Sequence, residues 1–143
     1  MGNLSEEIRV PAEMGYLREL LAFVASCAER SGFGQTRLRE IELVMEEILV
    51  NIFNYAYPDR KGDVGIACRS ADDGKLLVEI TDQGIPFDIL SLNDPDLQAG
   101  IEERNIGGLG VFFVKQLIRD IRYRRESGRN ILTLTIDPTP AVL

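Results

Sequence analysis

Histidine is absent from this 143-residue sequence, and so is tryptophan. Without histidine, a Ser-His-Asp or Cys-His nucleophile system, an imidazole zinc site and a phosphorylated histidine within the chain are all impossible, so any general base is a carboxylate or an amine. Cysteine is scarce. Cys27 and Cys68, the 2 present, have no partners at metal-ligand spacing and fall in segments that read as core helix and strand. They are therefore expected to be buried reduced thiols rather than a disulfide or a zinc site. No apolar run approaches the ~20 residues of a spanning helix, and the N-terminus lacks a charged-then-apolar leader. No membrane association and a cytoplasmic location are expected. Cationic residues are outnumbered, 16 against 23 acids for a net charge of −7, which argues against direct nucleic-acid binding, a property dominated by Lys and Arg. The cluster Arg119, Arg122, Arg124 and Arg125 is the exception, and it reads as a solvated helix end and strand face.

What is present is an average globular composition, 45% hydrophobic and 27% charged, in a length that fits one domain spanning 1–143. Glu6 to Val10 is a short strand candidate ended by Pro11. From Ala12 to about Arg30, Met14, Leu17, Leu20, Leu21, Val24 and Ala28 recur at helical spacing, with Ser31-Gly32 as the stop. A second helix is predicted from about Gln35 to Tyr57, ended by Pro58-Asp59. The runs Asp63–Ser70 and Lys75–Asp82 around Ala-Asp-Asp-Gly predict an antiparallel hairpin, with Leu76, Val78 and Ile80 alternating against Leu77, Glu79 and Thr81. Asp88 to Ile106 has no sustained period and reads as a long loop, a length that suits a lid or binding segment. Leu109 to Asp120 is helical again, Ile121–Glu126 and Asn130–Asp137 make a second hairpin, and the tail Pro138–Leu143 is expected to fray. Helices grouped rather than alternating with strands predict an α+β fold: a two-layer sandwich whose mixed, mainly antiparallel sheet is covered on one face by helices.

Three short segments carry chemistry. With Glu47 at zero and about 100° per residue, Asn51 falls near about 40° and Asn54 near about −20°, while the apolar stripe through Leu38, Ile41, Met45, Ile48 and Ile52 lies at about 100–180°. Glu46 falls on the far side, toward water. Glu47, Asn51 and Asn54 thus border the core, where a pocket between helix and sheet can open. A solvated helix flank has the same spacing; alternatively, Asn51 is a neutral oxygen ligand to Mg²⁺ and Glu47 a base beside a phosphate. Asp82 ends a strand before Gln-Gly84-Ile-Pro86. It is either an ordinary turn acid or an acceptor for a base's exocyclic amine, with Gly84 allowing close approach. Gly107-Gly108-Leu109-Gly110 opens a helix and is either a hinge or an anion site built on unpaired N–H groups. It lacks the Gly-Lys-Ser/Thr ending of a Walker A loop.

The order Glu-x-x-x-Asn, Asp-x-Gly-x-Pro and then a glycine box opening a helix resembles the Bergerat-fold (GHKL) ATPases, the superfamily of DNA gyrase, 90-kDa heat-shock chaperones, sensor histidine kinases and mismatch-repair ATPases. The stretches Glu46-Glu47-Ile-Leu-Val-Asn51-Ile-Phe-Asn54-Tyr-Ala-Tyr57-Pro58 and Ile106-Gly-Gly-Leu-Gly-Val-Phe-Phe-Val-Lys115 are most similar to its stand-alone anti-sigma-factor serine/threonine kinases. The resemblance covers about residues 8–136 and implies one histidine-kinase-like ATPase domain. It implies Glu47 as general base, Asn51 as Mg²⁺ ligand, Asp82 on the adenine amine, and Gly84 beside the base. Gly107, Gly108, Leu109 and Gly110 would hold the phosphates of ATP, Asn54 would help position phosphate or metal, and 88–106 would be the ATP lid. Arg104 and Lys115 are further phosphate contacts to consider.

By the same resemblance, the function is phosphorylation of a small antagonist protein in a bacterial partner-switching pathway, with a sigma factor as a further partner. The missing histidine suits this branch better than the histidine kinases. A nucleotide-gated binding module without phosphotransfer is the alternative, and a vestigial site on the same fold is a third. The family precedent is a homodimer, for which neither the first strand nor the first helix shows a diagnostic interface.

Overall fold

The computed structural model describes residues 5–91 and 108–141, leaving aside the side chains of 108 and 109. Its elements are β1 (Glu6–Pro11), a 3-10 turn (Met14–Tyr16), α1 (Leu17–Arg30), α2 (Gln35–Tyr55), β2 (Asp63–Ser70) and β3 (Leu76–Asp82). A second 3-10 turn (Ile89–Ser91), α3 (Gly108–Leu117), β4 (Asp120–Glu126) and β5 (Arg129–Ile136) follow. The strands form one five-stranded sheet in the order β1-β2-β3-β5-β4. All four pairings are antiparallel, in line with the mainly antiparallel sheet expected, and no parallel pair occurs among the described residues.

The helices form the second layer. Leu20, Val24, Cys27 and Ala28 of α1 and Ile41, Val44, Met45, Ile48 and Leu49 of α2 are buried against the inner sheet face, where Val64, Ile66, Leu76, Val78, Ile80, Leu134 and Ile136 lie. Those strand residues alternate because successive side chains leave a strand on opposite faces. Register places Ile66 opposite Ile80 and Cys68 opposite Val78, stacking the apolar set in one layer. Cys27 and Cys68 are free and buried, as expected of reduced core thiols. Burial raises both thiols' pKa, by removing water that would solvate a thiolate.

The β4–β5 hairpin turns on Ser127 and Gly128, both with positive φ (52° and 76°), a backbone whose twist matches the flanking strands. Several element ends shift by one or two residues from the sequence reading, α2 for example ending at Tyr55 rather than Tyr57, and three differences bear on the packing. The first turn before α1 is 3-10 rather than α. α3 stops at Leu117 instead of Asp120, because Asp120 is already paired with Thr135 at the start of β4. The tail expected to fray from Pro138 is held through Ala141: the Thr139 amide donates to Asp137 Oδ1 at 2.8 Å and the Ala141 amide to Glu40 Oε1 at 3.2 Å. Residues 92–106 of the expected lid lie outside the described residues.

Candidate functional site

The site forms where α2, the turn after β3 and the start of α3 meet. Asn51 is 3% exposed, Glu47 is half-buried and Asn54 is exposed, so the polar strip runs from the core outward. Asn51 Nδ2 donates to the Glu47 main-chain carbonyl at 2.7 Å and to Glu47 Oε2 at 2.8 Å. Both amide protons are thereby committed, and Asn51 Oδ1, a hard neutral oxygen of the kind Mg²⁺ accepts, has no partner among the described residues. Glu46 is exposed, as the helical rotation requires.

The glycine box reaches this carboxylate directly. A Cβ on Gly110 would overlap the Glu47 carboxyl group, so the missing side chain lets α3 close onto Glu47. Gly108 and Leu109 are the first two residues of α3, whose leading N–H groups lack helical partners. Gly107 and Arg104 lie outside the described residues. Lys115 is half-buried and about 140° round the helix from Gly110, away from Glu47.

Asp82 is 4% exposed at the end of β3. Burial raises its pKa by withdrawing water, opposed by hydrogen bonds from Asn130 and Gly84 and by the nearby Arg125 charge. Its Oδ1 accepts from the Gly84 amide and from Asn130 Nδ2, each at 2.8 Å. Oδ2 has no partner among the described residues and remains an acceptor for a ligand's amine.

The turn 83–85 carries a full set of backbone partners. The Gln83 amide donates to Tyr57 Oη at 2.8 Å and the Ile85 amide to the Ala56 carbonyl at 2.9 Å. On the acceptor side, Arg60 donates to the Gln83 carbonyl, Arg125 Nη1 to the Gly84 carbonyl at 2.7 Å, and Asn130 Nδ2 to the Ile85 carbonyl at 2.8 Å. A Cβ on Gly84 would collide with the Ala56 carbonyl, so the fold itself requires glycine there, whatever that residue offers a ligand. Asn130 Oδ1 also accepts from Tyr123 Oη at 2.6 Å and from the Phe87 amide at 3.2 Å. A rigid turn of this kind presents Asp82 in one orientation.

Tyr57, Arg60, Arg125 and Asn130 were not legible as site residues. Arg125 belongs to the basic cluster read as a solvated strand face, and Asn130 begins a strand with nothing local to mark it. The pairing of Asp82 with Asn130 across β3 and β5, 48 positions apart in sequence, brings them together. Among the described residues no three His, Cys, Asp or Glu side chains converge as a metal cluster.

The fold and this constellation define an ATPase-type module. The chain belongs to the histidine kinase-like ATPase domain family, whose model matches residues 10–136. It is similar to the serine-protein kinase RsbW of Bacillus cereus (strain AH187), 25% identical over 130 residues that span 88% of this chain and 81% of the relative. The Bacillus anthracis (strain CDC 684 / NRRL 3495) serine-protein kinase RsbW matches over the same shares of each chain at 25% identity. Two solved structures share the fold. The RsbU and RsbW domains of a Mycobacterium tuberculosis protein align with a TM-score of 0.66 at 18% identity, covering 98% of this chain and 35% of that one, about a third of its length. The SiaB-SiaC complex of Pseudomonas aeruginosa aligns with a TM-score of 0.57 at 18% identity, covering 92% of this chain and 88% of that one. No helix among the described residues is long and apolar enough to cross a membrane.

Proposed function

We propose that this chain is an ATP-dependent serine/threonine protein kinase of the anti-sigma type, acting on a small antagonist protein in a partner-switching pathway. The observation that carries the reading is the junction of Glu47, Asn51 and Gly110: a carboxylate held by an amide at 2.8 Å and seated on a glycine at the head of a helix. Asn51 Oδ1 would hold Mg²⁺, and Asp82 Oδ2 would accept from the adenine amine. Gly84 would let the base lie close, and Gly107, Gly108, Leu109 and Gly110 with the α3 N-terminus would bind the phosphates beside Asn54. Bound Mg²⁺ would neutralise charge on the triphosphate.

The chain's own work is then positioning and proton transfer. Glu47 takes the proton of the acceptor hydroxyl, while Asn51 keeps the carboxylate in place and α3 supplies N–H dipoles where charge builds up. With no histidine in the chain, transfer to one of its own histidines is excluded, and the acceptor in this reading is a hydroxyl on another protein. The similarity to serine-protein kinases supports that acceptor class.

The test is incubation with labelled ATP, Mg²⁺ and the small antagonist-domain proteins of its own genome. Label on a partner serine or threonine that disappears with Glu47→Ala is the expected result. ATP binding without transfer to any of them would leave a nucleotide-gated binding module instead.

A further inference from the structure

The described residues contain a groove of about 370 Å³ between α2 and α3, on the side of Glu47 away from Asn51. Leu43, Val44, Glu46, Glu47, Gly110 and Phe113 line it. Leu43 is 63% exposed and Phe113 52% exposed, two large apolar side chains left in water on facing helices. Glu46, on the rim, has no ion pair among the described residues. We propose that this groove is the docking site for the phosphoacceptor segment of the protein substrate. In that segment the acceptor serine or threonine would be flanked by an apolar side chain for the Leu43–Phe113 gap and a basic side chain for Glu46.

The inference rests on the kinase reading and follows from where Glu47 stands. A general base must lie within about 2.6–3.2 Å of the hydroxyl it deprotonates, so the acceptor has to enter a concavity that Glu47 lines. The nucleotide-binding groups Asn51 and Asn54 lie along α2 in the C-terminal direction from Glu47, and the groove runs in the N-terminal direction. In-line transfer would require the acceptor to meet the γ-phosphorus opposite the β–γ bridging oxygen, and Glu47 and Gly110 both border the groove from which it would enter. In that step the hydroxyl proton passes to Glu47 and the acceptor oxygen bonds to phosphorus. The bond from phosphorus to the β–γ bridging oxygen breaks, and ADP leaves with its electron pair.

Dimensions fix the partner's chemistry further. Leu43 precedes Glu47 by one helical turn, about 6 Å along the axis. A residue two along in an extended segment, at about 6.6 Å, or three to four along on a helix, reaches that far. Exposed apolar side chains bordered by a carboxylate without an ion pair among the described residues favour an apolar-plus-cationic segment, and with no cation among the described lining side chains an acidic one would be repelled.

The deciding experiment uses the full chain and whichever antagonist-domain protein of its genome accepts label from ATP. Leu43→Gln, Phe113→Gln and Glu46→Lys are made singly, with Glu42→Lys, outside the groove, as the control; all four sites are exposed, so folding is preserved. Expected is a rise in KM for the protein substrate of ~10-fold or more in each groove variant, with ATP affinity by calorimetry unchanged and the control silent. A basic-to-acidic change next to the acceptor serine should restore Glu46→Lys. If the wild type transfers label and the groove variants keep its KM, the docking assignment is overturned while the kinase reading stands. Variants that lose a dimer by light scattering with KM unchanged would show that a second copy fills the groove, and would overturn it too. A wild type that binds ATP but labels nothing sinks the kinase reading and this assignment with it.

Discussion

The two ends of β5 each bury a polar hub, and the hubs do opposite things. At the end, Arg37 is 4% exposed; its Nε donates to the Asp137 carbonyl at 2.8 Å, and its Nη1 to the Leu117 carbonyl at 2.9 Å and to Glu40 at 3.0 Å. Those bonds tie the C-termini of α3 and β5 to α2, and the groups involved are used on one another. At the start, Asn130 is 5% exposed and joins Asp82, Ile85, Phe87, Tyr123 and Arg125. There, and at Glu47–Asn51, the network leaves two oxygens without a partner among the described residues: Asp82 Oδ2 and Asn51 Oδ1. A buried polar group with all its bonding met by protein stabilises; one held rigid with a lone pair to spare is prepared for a ligand. A second cleft of about 380 Å³ lies beside Arg37, whose guanidinium is already paired with Glu40.

Separating the two hubs by mutation gives the sharpest check. Arg37→Ala should have the largest effect, a stability loss of ~3 kcal/mol in urea unfolding, because Glu40 and two carbonyls lose a buried donor. ATP affinity, measured by calorimetry, should not change; a parallel loss would mean that the ends are not independent. Asp82→Asn should cost ~1.5–3 kcal/mol of ATP binding through loss of a charged acceptor, and unchanged affinity would remove Asp82 from the adenine site. Gly110→Ala should cost ~1 kcal/mol or less in stability, since the atoms it meets are the end of a flexible side chain. It should nonetheless slow phosphotransfer more than it weakens ATP binding, because Glu47 is displaced while the backbone N–H groups at the head of α3 remain.

The smallest effect is in pH dependence, where the two ends should differ in sign. Burial raises the Asp82 pKa, whereas the Thr139 amide, donating to Asp137, lowers that of the exposed Asp137. A raised carboxyl contributes stability fully present below its ordinary value and lost as pH rises through the raised one. A lowered carboxyl contributes stability present above its ordinary value and lost as pH falls through the lowered one. From about pH 7 to about pH 3, wild type should therefore gain on Asp82→Asn and lose on Asp137→Asn in unfolding free energy. The same direction for both would contradict the assigned environments.

Much of this was legible in the chain. The 3.6-residue stripe of α2 is a local property, so Ile41, Met45, Ile48 and Ile52 could be assigned to the core and Glu47, Asn51 and Asn54 to its border from spacing alone. Alternation in 76–81 assigned Leu76, Val78 and Ile80 inward, and the absence of histidine removed whole classes of chemistry before any coordinate was needed. Asn130 and Arg37 had no such signal, because a polar residue at a strand start or in a helix's first turn is ordinarily solvated. Only the β3–β5 pairing sets Asn130 beside Asp82, and only the packing of α3 and the β5 end against α2 closes over Arg37. Periodicity is written in neighbouring residues and survives without a fold. The hubs depend on groups 48 and 100 positions apart, and chain topology alone decides that they meet.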